Sequence, residues 1–551
     1  MCRQGGTMSK NVVVLCVLLT VTFAMAIVPV SIRMRGLNPS LVGIVDDEYS
    51  DLYMNPATIN WIEGARVYTN LSNIHNFGDD LFFDPTYSPD MYYNLIGGIS
   101  SYKDHKIGAI LETGGWNSIM TGSEYETEII GNTTYVDTTI NEAVDKSINS
   151  ALNLFWGKKI SNYNVGVMFA PHMIDNKISE TSTEIHYEYL NDDSLIDYSY
   201  NQDEVSSSEK GLIFPFIAGA LWGEPENEMS AALTFGYEHE NQAVPTKAIY
   251  SEVTHDITQT VSQFTEYFED YEEVEKTSGI LISLYGRNKR RAEDHAVSYV
   301  GMLTYVNEPM SMKYTDTIYD YQKSISGFYS GCYDKTVGLT KQEGKGGLSY
   351  IGFGLGVGYE KYFDAMNTNN LFAIAAIPSF FTGTAKMKMS PGYQNVNFWG
   401  NLGSYPDTLA YTGFGTNGEV FDIKNCFSGL NITLPVGLET NLTEKLCLRL
   451  GATEDIMFMQ KYGYEMVMTD SGGKSVYTQT MPFDTVITNQ EPSDELDSYT
   501  SKSESKTSFS NMTNYYFGAG YKINDNIELN FLNYAQLTDL RCWVLGVNIK
   551  F

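Results

Sequence analysis

The sequence predicts an all-β protein: an antiparallel transmembrane β-barrel of about 16 strands, with about 14 as the alternative count, carrying a short N-terminal plug and long outer loops. Three observations predict it. The last eleven residues, Arg541 to Phe551, alternate strictly: Trp543, Leu545, Val547, Ile549 and Phe551 share one face, and Cys542, Val544, Gly546, Asn548 and Lys550 share the other. Seven short polar turns alternate with six much longer polar excursions along the chain. No run after the first 26 residues reaches the ~18 consecutive apolar residues of a spanning helix, while 40 Tyr, 27 Phe and 48 Gly supply the aromatic and turn residues of a strand-rich wall.

In chain order, Met8-Ser9-Lys10 precedes the apolar run Val12 to Phe23 and then Ala24-Met25-Ala26, the layout of a secretory signal peptide with a small-residue cleavage site. Residues 1–26 are therefore expected to be removed on export. Cys16 follows the bulky Leu15 and reads as part of the signal rather than as a lipid anchor. Residues 27–63 are too short for a domain, yet they hold helix-capping patterns. Asp46-Asp47 suits the start of a short helix running through Tyr53, and Asn55 before Pro56 suits an N-cap followed by proline at the first helical position.

The barrel is expected from residue 64 to residue 551. Its short turns centre on Lys103-Asp104-His105, Ser161 to Asn164, Glu224 to Asn227, Lys289-Arg290-Arg291, Asn367-Thr368-Asn369, Asn441 to Glu444, and Asn524-Asp525-Asn526. Seven turns join fourteen strands, and one more at each end, Gly64 to His75 and the final strand, brings the count to sixteen. The flanking strands alternate: Met229, Ala231, Leu233, Phe235 and Tyr237 oppose Ser230, Ala232, Thr234, Gly236 and Glu238. Long excursions at 117–148, 174–208, 240–276, 307–346, 382–427 and 458–508 read as outer loops. Acidic clusters there, such as Glu266 to Glu273, lack the spacing of a calcium loop and read as solvated surface. Gly352, Gly354, Gly356 and Gly358 superficially suggest a nucleotide loop. Their period of two instead places all four on one strand face, leaving the lumen wall bare there.

Composition excludes several classes. A net charge of −31 opposes nucleic-acid binding. After the signal, Cys332, Cys426, Cys447 and Cys542 are widely spaced; they form no metal pattern, and a Cys332–Cys426 pairing stays open. No cofactor or metal is expected. No spacing gathers a nucleophile and base, so no enzyme is expected; His239 between Glu238 and Glu240 reads as a girdle histidine.

A C-terminal strand ending on an aromatic resembles the assembly signal of bacterial outer-membrane barrels, which implies that Trp543, Leu545, Val547, Ile549 and Phe551 address the barrel-assembly machinery. Gly36, Asp46-Asp47, Ser50, Leu52-Tyr53, Asn55-Pro56-Ala57 and then Gly64 resemble the N-terminal pattern of the long-chain fatty-acid transporter (FadL-like) superfamily, shared with PorV-like barrels. That resemblance implies an integral outer-membrane protein in contact with lipid bilayer and lipopolysaccharide. Asp46, Asp47, Ser50, Tyr53, Asn55, Pro56 and Ala57 would hold a gating plug, and a hydrophobic small-molecule ligand would be taken up passively. The alternatives are a PorV-like barrel that binds secreted proteins, and a general porin or structural barrel.

Overall fold

Alternating side chains bury one face of a strand and expose the other, and a ring of such strands hydrogen-bonded edge to edge leaves no open edge. The computed structural model has this form. The structure describes residues 30–71, 93–130, 132–190, 195–224, 226–255, 261–324, 332–365, 368–390, 393–401, 410–416, 419–470, 474–481, 485–492, 498–507, 509–533 and 543–551. The signal-peptide residues lie outside them.

Sixteen antiparallel wall strands follow in chain order. They are β1 (Arg66–Leu71), β2 (Tyr93–Tyr102), β3 (His105–Ile130), β4 (Thr133–Ile160), β5 (Tyr163–Phe169 with His172–Leu190), β6 (Leu195–Glu224), β7 (Asn227–His255) and β8 (Val261–Arg291). The ring continues with β9 (His295–Ser324), β10 (Cys332–Ala365), β11 (Thr368–Ser390 with Tyr393–Asn401) and β12 (Ala410–Thr416 with Glu419–Asn441). It ends with β13 (Leu446–Asp470 with Lys474–Met481), β14 (Thr485–Pro492, Ser498–Thr507 and Ser510–Asn524), β15 (Ile527–Asn533) and β16 (Trp543–Lys550). Closure is made by β16 on β1, with Arg66 opposite Lys550 and Thr69 opposite Val547. The strand expected over Gly64 to His75 is observed over Arg66–Leu71, and residues 72–75 lie outside the described residues.

Two expectations are corrected. The turn placed on Lys289-Arg290-Arg291 comes later: β8 runs through Arg291, and the Ala292 amide donates to the His295 carbonyl across the turn. The charged run is strand because Arg287, Lys289 and Arg291 alternate onto the lumen face, where carboxylates meet them. The long excursions are also largely strand rather than loop. β4 has 28 residues, β8 31 and β10 34, where about 9–11 tilted residues span a bilayer. Alternation simply continues outward, as in Tyr267, Glu269, Tyr271 and Glu273, which share one face of β8. Cys426 carries a free thiol 3.8 Å from the Thr384 hydroxyl, and the Cys332 side chain lies outside what is described.

The two faces differ as the alternation requires. Leu233, Phe235, Leu284, Phe353 and Leu355 point out and are exposed, whereas Ala232 and Tyr285 point in and are buried. Residues 30–63 lie inside this wall, where Met34, Leu37, Leu41, Ile44, Leu52 and Ile59 are completely inaccessible.

Candidate functional site

The inner segment repeats one plan. A short helix, α1 (Ile32–Leu37), begins on the Ser31 hydroxyl, which accepts from the Met34 amide at 3.0 Å. Asn38 ends it and starts the 3-10 turn Pro39–Leu41. A second helix, α2 (Glu48–Met54), begins on Asp47, whose carboxylate accepts from the Ser50 amide at 2.9 Å and the Ser50 hydroxyl at 2.7 Å. Asn55 ends that helix and starts the 3-10 turn Pro56–Trp61. Both starts match the capping read from Asp47 and from Asn55-Pro56.

Each asparagine also fastens the segment to the wall. The Asn38 side-chain oxygen accepts from the Ser40 amide at 2.9 Å, while its amide nitrogen donates to the Val436 and Ala452 carbonyls at 3.1 and 2.8 Å. Asn55 does the same with the Ala57 amide at 3.0 Å and the Ala220 and Ala231 carbonyls at 3.1 and 3.3 Å. Only a carboxamide can cap with its oxygen while donating two hydrogen bonds from its nitrogen. Asn55→Asp is therefore expected to turn a carboxylate onto two carbonyls and to weaken docking of the segment by about 2–4 kcal/mol. Faster proteolysis within residues 30–63, with the barrel intact, would register it. Unchanged protection would count against the fastening role.

Close approach requires a bare wall at these seats. A Cβ on Gly451 would lie 1.8 Å from the Leu37 carbonyl oxygen, and one on Gly219 would lie 1.9 Å from the Asn55 side-chain oxygen. Pro56 sits over Gly166, and Ala57 beside it is completely inaccessible.

Ion pairs hold the rest. Asp46 meets Lys289 at 2.9 Å, Arg291 at 3.0 Å and Arg287 at 3.6 Å. Burial raises its carboxyl, but those three cations hold it well below the usual carboxylate range. On the wall, Glu228 pairs with Arg287 at 2.5 Å and Arg291 at 2.8 Å, and Glu360 pairs with Lys289 at 2.5 Å. Lys289 is fully buried and also donates to the Ile44 carbonyl at 2.8 Å. Asp51 lies 3.6 Å from Arg287; burial pushes its carboxyl up to about 7 against the pull of that guanidinium, with Asp46 and Asp47 adding to the rise. On the opposite wall Arg33 pairs with Glu439 at 2.9 Å, and Arg449 pairs with the same carboxylate at 2.7 Å. Tyr53 and Tyr49 donate to Glu112 at 2.5 and 2.7 Å.

The structure thus brings together all seven expected residues. Asp46 and Asn55 bond the wall directly, Asp47 and Ser50 form the cap, Tyr53 reaches Glu112, and Pro56 and Ala57 pack onto β5. Asn38, Arg33 and the wall charges Arg287, Lys289, Glu228, Glu360 and Arg449 were not anticipated. Asn38-Pro39 repeats the dipeptide noticed at Asn55-Pro56, and charges at alternate positions on the polar face of a strand are the signal for the others. At the C-terminus, Leu545 and Val547 take the parity opposite to Val544, which is buried, and Gly546, which faces Ile32; they point outward as expected.

Two polar cavities flank the segment. One of about 170 Å³ lies between Ser31, Asp47, Tyr49 and the wall residues Arg66, Tyr68 and Asn548. The other, about 180 Å³, lies between Arg33 and Glu439, Arg449, Lys522 and Glu528. Arg33 and Glu528 line both.

No family model matches the chain, and no curated protein matches it. The FadL-like resemblance therefore rests on the residues quoted for it. Among solved structures, a copper transporter, OprC, matches at 8% identity and a TM-score of 0.17, covering 89% of this chain and 80% of that one. The siderophore receptor PirA from Acinetobacter baumannii matches at 8% identity and a TM-score of 0.18, covering 88% and 80%. Likeness of that degree carries no argument about function.

Proposed function

We propose that the chain is an integral outer-membrane barrel through which small hydrophobic or amphipathic molecules pass without energy input, gated by movement of residues 30–63. The observation that carries this reading is the division of the lumen. At one level it is occupied by a segment held through individually breakable polar contacts, with two cavities beside it. Above that segment one wall is apolar: Leu348 and Tyr350 on β10 and Phe381 and Phe427 on β11 and β12 take lumen positions, and the expected bare glycine face is instead covered, with Tyr350 over Gly352, Val300 and Ile377 over Gly356 and Ile44 over Gly358. An outward band including Leu233, Phe235, Leu284, Phe353 and Leu355 supports placement in a bilayer. Gating by Asp46, Asp47, Ser50, Tyr53, Asn55, Pro56 and Ala57 and recognition of the final strand by assembly machinery belong to the same proposal. We assign no catalytic role: His239 faces outward, with its ring 3.0 Å from the Ser278 hydroxyl.

Displacement of an apolar fluorescent probe from detergent-solubilised protein tests this reading. Decanol is expected to displace the probe saturably, and deletion of residues 27–63 to change the binding curve at least several-fold. No displacement by any apolar ligand would instead favour a PorV-like barrel that engages a secreted protein. The feature favouring that second reading is the height of β6 to β10, whose strands of 29 to 34 residues extend the wall far beyond a bilayer crossing.

A further inference from the structure

Strand pairing places a band of lumen positions, four rungs deep, about ten residues outward of the seated segment, roughly 30 Å along each strand. On β4 to β9 this band is polar and acidic. Ser147 bonds Asn176, and Asn176 bonds Glu209 at 2.9 Å. Glu209 on β6 neighbours Glu240 on β7 along the same face, since Glu209 pairs with Gln242 and Gly211 with Glu240. Glu238 and Glu275 follow on the same face of β7 and β8, and Glu308 on β9. On β10 Leu348 lies opposite Glu308, and one rung nearer the segment Tyr350 on β10 and Phe427 on β12 are stacked at 6.3 Å.

Two features single this band out from a solvated acidic patch. Glu308 is 94% buried, being 6% exposed, and lies over Gly279. Among the described residues its carboxylate has no hydrogen-bond or ion-pair partner, and the charged group acting on it is another carboxylate, Glu238. Across the band, Tyr350 is 4% exposed and its hydroxyl has no hydrogen-bond partner. Buried polar groups ordinarily have partners, and the Tyr350 hydroxyl is one that lacks it. Among the described residues no lysine neutralises these carboxylates from inside: Lys146, Lys177, Lys210, Lys276, Lys313 and Lys345 fall on the alternate parity and are exposed on the outer face. Among the described residues no group of ligands could hold a metal ion, so the band is a field rather than a chelate.

We propose that the lumen selects amphipathic cations: molecules with an ammonium or similar head that meets the Glu238, Glu240 and Glu308 side, and an apolar body that lies against Leu348, Tyr350 and Phe427. This rests on the channel reading above and names its substrate class. Carboxylates are repelled because the low-dielectric wall strengthens like-charge repulsion, and aromatic faces add attraction for a cation.

The test uses full-length protein in a nonionic detergent and three ligands with ten-carbon chains, below their micelle concentrations: decyltrimethylammonium, decanol and decanoate. The ammonium is expected to displace an apolar probe at least tenfold more tightly than decanol, with decanoate weakest. The combined variant Glu238→Gln, Glu240→Gln, Glu308→Gln is expected to bring all three within about twofold. These glutamates lie outside the segment's contacts, so thermal stability of the variant serves as its folding control. Equal binding of all three ligands by the parent protein would overturn the cation inference and leave the channel reading standing. An order unchanged in the variant would overturn the assignment to this band. Failure of all three to bind would overturn both readings.

Discussion

Lys289→Ala is expected to release the inner segment. The substitution removes the ammonium that joins Asp46, the Ile44 carbonyl and Glu360. It leaves Glu360, which is fully buried, facing no cation at the distances seen here. Deleting one partner of a buried pair costs about 3–5 kcal/mol, because the other charge stays buried and uncompensated. Hydrogen exchange of residues 30–63 should accelerate by roughly two to three orders of magnitude if opening of the segment limits it, at about 1.4 kcal/mol per factor of ten. The double variant Lys289→Met, Glu360→Gln removes both charges, and it should recover most of the protection. Equal exchange in the single variant and the parent would show that the segment is held elsewhere.

Gly451→Val is expected to have the next largest effect, through contact rather than charge. The first added carbon would lie 1.8 Å from the Leu37 carbonyl oxygen, 2.8 Å from the Leu37 carbonyl carbon and 3.1 Å from the Asn38 Cβ. Backbone cannot give way as a flexible side chain can, so α1 must lift off β13 and the two Asn38 wall bonds must lengthen or break. Overpacking of this kind typically costs about 1–3 kcal/mol, and the lost hydrogen bonds add about 1 kcal/mol each. Protease sensitivity within residues 30–63 should rise, while the barrel keeps its heat-resistant mobility on gels. Gly463→Val supplies the control, since a Cβ there meets only the Cys426 carbonyl oxygen, at 4.0 Å. Equal sensitivity in the two variants would remove the seating argument.

The barrel was legible because alternation is a local signal: whether Leu233 or Ala232 faces out is written in the parity of the strand itself. Strand count followed from the turns for the same reason. Lys289-Arg290-Arg291 misled because a charged run ordinarily marks a turn; its true state depends on Glu228, Glu360 and Asp46, which are remote in sequence. The outer strands misled in the same direction, since Glu and Asp are poor strand formers and their pairing with Tyr and Thr across strands is non-local. In the inner segment, the caps at Asp47 and Asn55 were readable from neighbouring residues. Which wall carbonyls the asparagines reach was not, because that depends on a barrel closed around them.

The central claim is that solutes cross only when residues 30–63 move. Ile44 and Gly358 touch across the seat: a Cβ on Gly358 would lie 2.3 Å from the Ile44 Cγ2. Ile44→Cys with Gly358→Cys, in a background whose remaining cysteines are serine, permits the segment to be tethered to β10 by oxidation and freed by reduction. Decanol-sized probe flux into proteoliposomes is the measurement. Flux falling on oxidation to the level of protein-free liposomes, and returning on reduction, is the expected result; equal flux in the tethered and free states would contradict the account.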